Sequence, residues 1–158
     1  MNTTPSATQN ALPLYNALYN EFMHIDFVHI LHNAQLKATK PRLAVLEALE
    51  HTPHQSAESV RIGVTHKLGK VSTQAIYDVL HTLTNKGIVR MIEPAGTVPL
   101  YEISHHDNHH HLVCRSCLKV IDIPCVLGSA PCLHPSDAHG FLLDEAEVTF
   151  WGVCPQCS

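Results

Sequence analysis

An α+β chain in two parts, helices first and strands after, is what three observations predict. Apolar residues recur at helical spacing through the first half of the chain. Two short β-rich runs flank a turn signal immediately after the last of these helices. Two Cys-x-x-Cys pairs, Cys114/Cys117 and Cys154/Cys157, then bracket a remainder with little core of its own.

Residues 1–21 read as a loose N-terminal extension, broken by Pro5 and Pro13. From Phe22 to Gln35 the apolar residues Phe22, Ile25, Val28 (or Phe27) and Leu31 fall at helical spacing. A second helix is expected after Thr39, with Pro41 in its first turn and Leu43, Val45, Leu46 and Leu49 on its apolar side. The run His51-Thr52-Pro53 ends it. A third helix is expected from Ser56 to Leu68, stopped by Gly69. The fourth begins after the N-cap candidate Ser72, carries Ile76, Tyr77, Leu80 and Leu83, and closes at Asn85-Lys86-Gly87. Ile88–Ile92 and Pro99–Ile103 then form a hairpin across Glu93-Pro94-Ala95-Gly96-Thr97.

Short helices followed by one hairpin make the pattern of a winged helix-turn-helix domain, here residues 22–98. The turn Leu68-Gly69-Lys70-Val71 is short, as that motif requires. The fourth helix is then expected in a major groove, with Thr73, Gln74 and Tyr77 near its start. A helical bundle that touches no DNA satisfies the helix spacing equally; the hairpin directly behind the last helix favours DNA.

Residues 99–158 differ in kind. His111–Arg115, Lys119–Ile123 and Glu147–Trp151 read as strands, and Pro124, Pro131 and Pro135 cut the intervening stretch into turns or broken helix. This small α/β domain is expected to depend on zinc, because metal-binding energy becomes folding energy. Its exposed strand edge suits pairing with a second copy.

Composition narrows the class. At 158 residues, 45% hydrophobic and 15% charged, the chain can bury cores and is not a disordered polymer. The apolar runs are too short to cross a bilayer, and Met1–Asn10 lacks a signal-peptide pattern, so a cytoplasmic protein without a membrane role is expected. In that compartment Cys-x-x-Cys pairs are metal ligands more often than disulfides. Lys37–Arg90 holds eight Lys and Arg against four Asp and Glu; Ala95–Ser158 holds two against seven. A mildly basic first half permits nucleic-acid binding without demanding it.

Cys114, Cys117, Cys154 and Cys157 would complete a tetrahedral thiolate shell with no position for substrate, the description of a structural zinc site. Thirty-six residues lie between the pairs, a separation that suits pinning two ends of a small domain. A zinc deaminase needs a Pro before its Cys pair and an upstream His-x-Glu. Val153 stands in the first place and the second is absent. No nucleophile–base pair or open zinc shell can be picked out, so an enzyme is not expected. A second constellation is of another kind. On a strand His109 and His111 face one side and His110 the other. Glu102 and Asp122 are placed to converge on the first side. Imidazoles with carboxylates suit Fe(II), Mn(II), Ni(II) or Zn(II); the alternative is a set of solvated surface groups.

With these residues in place, the chain resembles the ferric uptake regulator (Fur) family over nearly all of residues 22–157. The resemblance rests on Thr39-Lys40-Pro41-Arg42, His54-Gln55-Ser56-Ala57-Glu58, Val71–Tyr77, Tyr101-Glu102, His109–Cys114 and Gly152–Cys157. The tract Asp107–Cys117, with Ala130-Pro131-Cys132 and Gly140–Glu147, is similar to the actinobacterial FurA/CatR branch, whose members repress catalase-peroxidase genes in response to peroxide. The resemblance implies a homodimeric, metal-dependent repressor that binds a pseudo-palindromic operator in double-stranded DNA. It implies regulatory ligands His54, Glu102, His109, His111 and Asp122, holding Fe2+ or Mn2+, with Zn2+ able to occupy the site in isolated protein. It adds Lys40, Arg42 and Ser72 to Thr73, Gln74 and Tyr77 as DNA contacts. Fe(II) held by histidines can reduce peroxide to a radical that oxidises a ligand, by analogy His54 or His109. An Asp at position 122 resembles the peroxide sensors, whereas many iron-uptake regulators carry Glu.

Some positions depart from the family pattern. Asp78 stands where most relatives have Arg, and Asn108, His110 and Ala146 stand where iron-type members supply a third-site ligand, so no third site is expected. His105, His106, His134 and His139 are additional, and Cys125 and Cys132 are left over. A regulator of iron, zinc or nickel uptake shares this fold and ligand set. From another class, a zinc-stabilised metal-storage or metallochaperone module would share the histidines and ignore DNA.

Overall fold

The computed structural model describes residues 25–94, 96–105, 107, 109–125, 133–143 and 146–158. The chain divides into two compact units, Met1–Ala38 and Thr39–Ser158. In the first unit, helix α1 spans Phe27–Asn33. The Asp26 carboxylate accepts the His29 N–H at 3.0 Å, satisfying one orphan donor of the first turn. Phe27 and Leu31, four apart on one face, are buried. The helix expected over Phe22–Gln35 is shorter at both ends: Ile25 lies outside it and Asp26 caps its start, while Gln35 takes a positive φ of 60°. Phe22 and the extension 1–21 lie outside the described residues.

The second unit opens with α2, Lys40–His51, with Pro41 in its first turn where a missing N–H costs nothing. A two-residue strand β1, Gln55–Ser56, precedes α3, Ala57–Leu68. Ser56 caps α3 by accepting the Ser59 N–H, and Ser72 caps α4, Thr73–Asn85, by accepting the Ala75 N–H at 3.1 Å. Gly69 closes α3 at a φ of 82°, a left-handed conformation that side chains disfavour and that lets the chain turn into α4 at once. Strands β2, Val89–Ile92, and β3, Leu100–Ile103, then form the wing.

The three helices close on a shared apolar centre. Leu46 and Leu49 of α2, Val60 and Val64 of α3, and Ile76, Leu80 and Leu83 of α4 have at most 1% exposure. Val89 and Ile92 seal it from the hairpin side. Leu80→Ala should therefore leave a cavity and cost about 2–5 kcal/mol. Urea unfolding checks this, as a lower midpoint with unchanged slope.

Two small sheets follow from the strand order. The first runs β1-β3-β2, antiparallel throughout, with Gln55 opposite Tyr101 and Arg90 opposite Glu102. The second runs β5-β4-β6, built from β4, His109–Cys114, β5, Val120–Pro124, and β6, Thr149–Gly152. Strand β4 pairs antiparallel with β5 and parallel with β6. The strand bounds differ from those expected. β4 begins two residues earlier, because His109 and His110 find partners in Pro124 and Ile123. β6 lies further on, because its register sets Gly152 beside Cys114. Pro124 is tolerated because β5 is an edge strand. Residues 133–143 carry neither helix nor strand, and Pro131 lies outside the described residues.

Candidate metal centres

The closed cluster forms where β4 and β6 end side by side. Each strand runs into a turn, Arg115–Cys117 and Pro155–Cys157, that brings its second cysteine back to the first. The four sulfurs lie within 4.8 Å of one another, with Cys117 Sγ 3.7 Å from Cys154 Sγ. A regular tetrahedron with metal–sulfur bonds of about 2.3 Å has edges of about 3.8 Å. Backbone N–H groups of Cys117 and Cys154 lower the Cys114 thiol to about 6. A hydrogen bond with Ser116 pulls Cys157 down, but the sulfurs of Cys154 and Cys117 outweigh it and raise Cys157 to about 11. Four thiolates cannot share this volume unaided; a dication resolves the conflict. The donor set fits structural zinc.

The second cluster is assembled from four different segments. His54 precedes β1 and adopts a left-handed φ of 56°, a conformation uncommon outside glycine. Gln55 Nε2 donates to the carbonyls of Ala48 and Thr52 at 2.8 and 2.7 Å, tying β1 to the end of α2. The pairing of Gln55 with Tyr101, carried back one residue, sets His54 opposite Glu102. His109 and His111 project from the same face of β4, and Asp122 is the cross-strand partner of His111.

These side chains converge. His54 Nε2 lies 2.8 Å from Glu102 Oε2 and 2.7 Å from Asp122 Oδ1. His111 Nε2 lies 3.4 and 3.5 Å from the same two oxygens. His109 Nε2 is 3.2 Å from Glu102 Oε1 and 3.8 Å from Asp122 Oδ1. One donor atom each from His54, Glu102, His111 and Asp122 falls within a 4.8 Å span. Atoms bound about 2.1 Å from one ion lie at most about 4.2 Å apart, so small shifts complete a shell. His54 Nε2 makes both contacts without hydrogen-bond alignment, and as a buried nitrogen it would be orphaned without a cation. Nitrogen and carboxylate donors without sulfur fit Fe(II) or Mn(II).

Electrostatics within the cage are strongly coupled. Burial pushes Glu102 up, but the hydrogen bond with His111 and the imidazole of His54 beside it hold it well below the usual carboxylate range. Burial lowers His54, and the adjoining carboxylates of Glu102 and Asp122 more than reverse this, so its pKa is raised. A lowered Glu102 stabilises the fold above its ordinary 4.5, and that stability is lost on acidification. A raised His54 stabilises it below 6.5, and that contribution is lost as pH climbs past the raised value. Protein stripped of regulatory metal should therefore lose stability as pH falls below 4.5 and again as it climbs past 6.5. Glu102→Gln should flatten both limbs in a pH series of urea unfolding, since it also removes the charge that raises His54.

One residue of the site was missed in the sequence. Asp107 Oδ1 lies 2.8 Å from His109 Nδ1, the nitrogen turned away from the cage. This contact fixes the proton on Nδ1 and leaves Nε2 as the inward donor. Burial raises the Asp107 pKa but the His109 hydrogen bond lowers it further, so the carboxylate stays ionised. The available signal was an acid two residues before the first strand histidine. Asp107→Ala should weaken Mn(II) binding about 10–100-fold in a metal titration; an unchanged affinity would deny it this role.

The remaining residues sort plainly. His110 faces the other side of β4, with its ring 6.4 Å from Phe150, and Ala146 offers no ligand atom. His134 and His139 are exposed, the latter 3.4 Å from Asp137, and join neither cluster. His106, Asn108 and Cys132 lie outside the described residues. Thr73, Gln74 and Tyr77 are exposed on α4, Ser72 caps it, Lys40 is exposed and Arg42 half-buried at the start of α2.

The model of the ferric uptake regulator family matches residues 33–145. The transcriptional regulator FurA of Mycobacterium tuberculosis is 53% identical over 133 residues, covering 84% of this chain and 90% of that protein. The ferric uptake regulation protein 2 of Mycolicibacterium fortuitum is 49% identical, covering 84% and 93%. The crystal structure of the Vibrio cholerae ferric uptake regulator aligns with a TM-score of 0.63 at 26% identity, covering 82% of this chain and all of that one. Two metal-type clusters on a winged-helix chain therefore agree with the comparisons: this chain belongs to the ferric uptake regulator family and is a metal-dependent regulator of that kind.

Proposed function

We propose that this protein is a cytoplasmic, homodimeric repressor that binds a pseudo-palindromic operator and senses peroxide through Fe(II). The catalase-peroxidase and other oxidative-stress genes are its proposed targets. The observation that carries this reading is the convergence of His54, Glu102, His109, His111 and Asp122 from four segments. Residues 22–98, completed by the wing strand β3, are the proposed operator-reading domain, and the rest of 99–158 the dimerisation domain. Their junction supplies Glu102. A metal that needs ligands from both sides favours one arrangement of the two, since it binds that arrangement more tightly. Lys40, Arg42, Ser72, Thr73, Gln74 and Tyr77 are the proposed DNA contacts, with the cysteine cluster holding Zn2+ for structure.

Bound Fe(II) would supply the electron that reduces peroxide, and the nearby imidazoles of His54 and His109 are the expected targets of oxidation. Losing either removes a donor and loosens the cage. The Asp122 side chain is partly exposed to solvent, which suits a site that must meet a small oxidant. The competing reading, a regulator of metal supply, predicts release of DNA on chelation alone. Operator binding with Fe(II), Mn(II), Zn(II) or Ni(II), each with and without peroxide, separates the two. Irreversible release from the Fe(II) form alone supports peroxide sensing; an Fe(II) complex indifferent to peroxide contradicts it. No specific DNA binding under any metal would favour a storage module.

A further inference from the structure

Gln74 and Asp78 are four residues apart on α4, so both project from one face of the helix. That face also presents Thr73 and Tyr77 to solvent, while Ile76, Leu80 and Leu83 turn inward. Gln74 Nε2 donates to Asp78 Oδ1 at 2.8 Å. A carboxylate only accepts, so it must face the amide nitrogen; the carbonyl oxygen turned toward it would be repelled. One N–H of Gln74 is thereby committed to Asp78. The N–H anti to the carbonyl is the one that can serve Asp78 while leaving the carbonyl oxygen and the other N–H side by side for a partner. That free edge pairs with adenine in the major groove, whose N6 donates and whose N7 accepts.

We infer that Asp78 is a specificity-determining positioning residue, which holds Gln74 in the orientation that reads adenine in each half-site. This rests on the proposed DNA-binding role of α4. An exposed glutamine samples many rotamers, and holding it beforehand reduces the entropy lost on docking. The carboxylate also repels phosphates, so it narrows sequence choice while lowering affinity for DNA in general.

The test is selection of operators from randomised duplex DNA by the full-length, Mn(II)-loaded protein and its variants, followed by sequencing. Native protein should show one adenine preference per half-site that Gln74→Ala abolishes. Asp78→Ala should weaken that preference by roughly fivefold or more. Asp78→Asn keeps an acceptor without charge; it should retain the preference and bind all sequences more tightly. Specific binding whose adenine preference survives in Gln74→Ala or Asp78→Ala overturns the inference alone. Loss of the preference in Asp78→Asn as well would also overturn it, since charge would then be the cause. Absence of any sequence preference in native protein overturns the DNA-binding reading and this inference together.

Discussion

His54→Ala is expected to lower Mn(II) affinity at the imidazole–carboxylate cage by more than about 100-fold, beyond what an outer-shell change produces. Zinc content should be unchanged, because none of the four cysteines touches residue 54 and the two clusters share no ligand. The size of the effect follows from position. His54 is the proposed ligand contributed ahead of α3, and its nitrogen lies closest of the three imidazoles to both carboxylates. Without it, Glu102 also loses one of the imidazoles that keep its buried carboxylate ionised. A cage reduced to β3, β4 and β5 can still hold an ion, but that ion no longer engages the segment before α3. Manganese titration by electron paramagnetic resonance reads the affinity, and zinc analysis of the same sample reads the other site.

Cys154→Ser should have a wider effect. Apparent binding energy at structural zinc sites is about 10–16 kcal/mol near neutral pH, comparable with the entire stability of a small domain. The zinc cluster ties the end of β4 to the end of β6, and β4 carries His109 and His111. Losing the thiolate shell should therefore abolish both metal sites, whereas His54→Ala weakens only one. Trp151, the single tryptophan, lies on β6 beside Arg115 at 5.2 Å and reports the event. Its emission should shift to the red while the far-ultraviolet helical signal persists, because the core of α2, α3 and α4 is built from other residues. Retained manganese binding in this variant would show that the strands hold without zinc.

Much of this arrangement was legible in the sequence because its signals are local. Gly69, Ser72 and the apolar spacing of Ile76, Leu80 and Leu83 located the helix-turn-helix within a residue or two. Cysteine spacing located the closed cluster, and strand alternation put His109 and His111 on one side. What could not be read depends on pairing between distant segments. Strand β1 is two residues long and has no pattern of its own, yet its register with Tyr101 puts His54 at the cage. On the residues alone His54 was one histidine among fourteen, and only the family resemblance singled it out. Asp107 escaped for a related reason: a hydrogen bond to Nδ1 appears only once the ring is placed. The strand ends at His109 and Gly152 moved because partners, not propensity, decide where a short strand stops.

If the cage governs DNA binding, metal and operator must strengthen each other by one common factor, because linkage between two binding equilibria is reciprocal. The direct measurement is the Mn(II) affinity of zinc-replete protein with and without its selected operator duplex. Operator should raise that affinity by the factor by which Mn(II) raises operator affinity, and His54→Ala should erase both effects. A manganese affinity indifferent to DNA, in a protein that still binds operator, would contradict the mechanism.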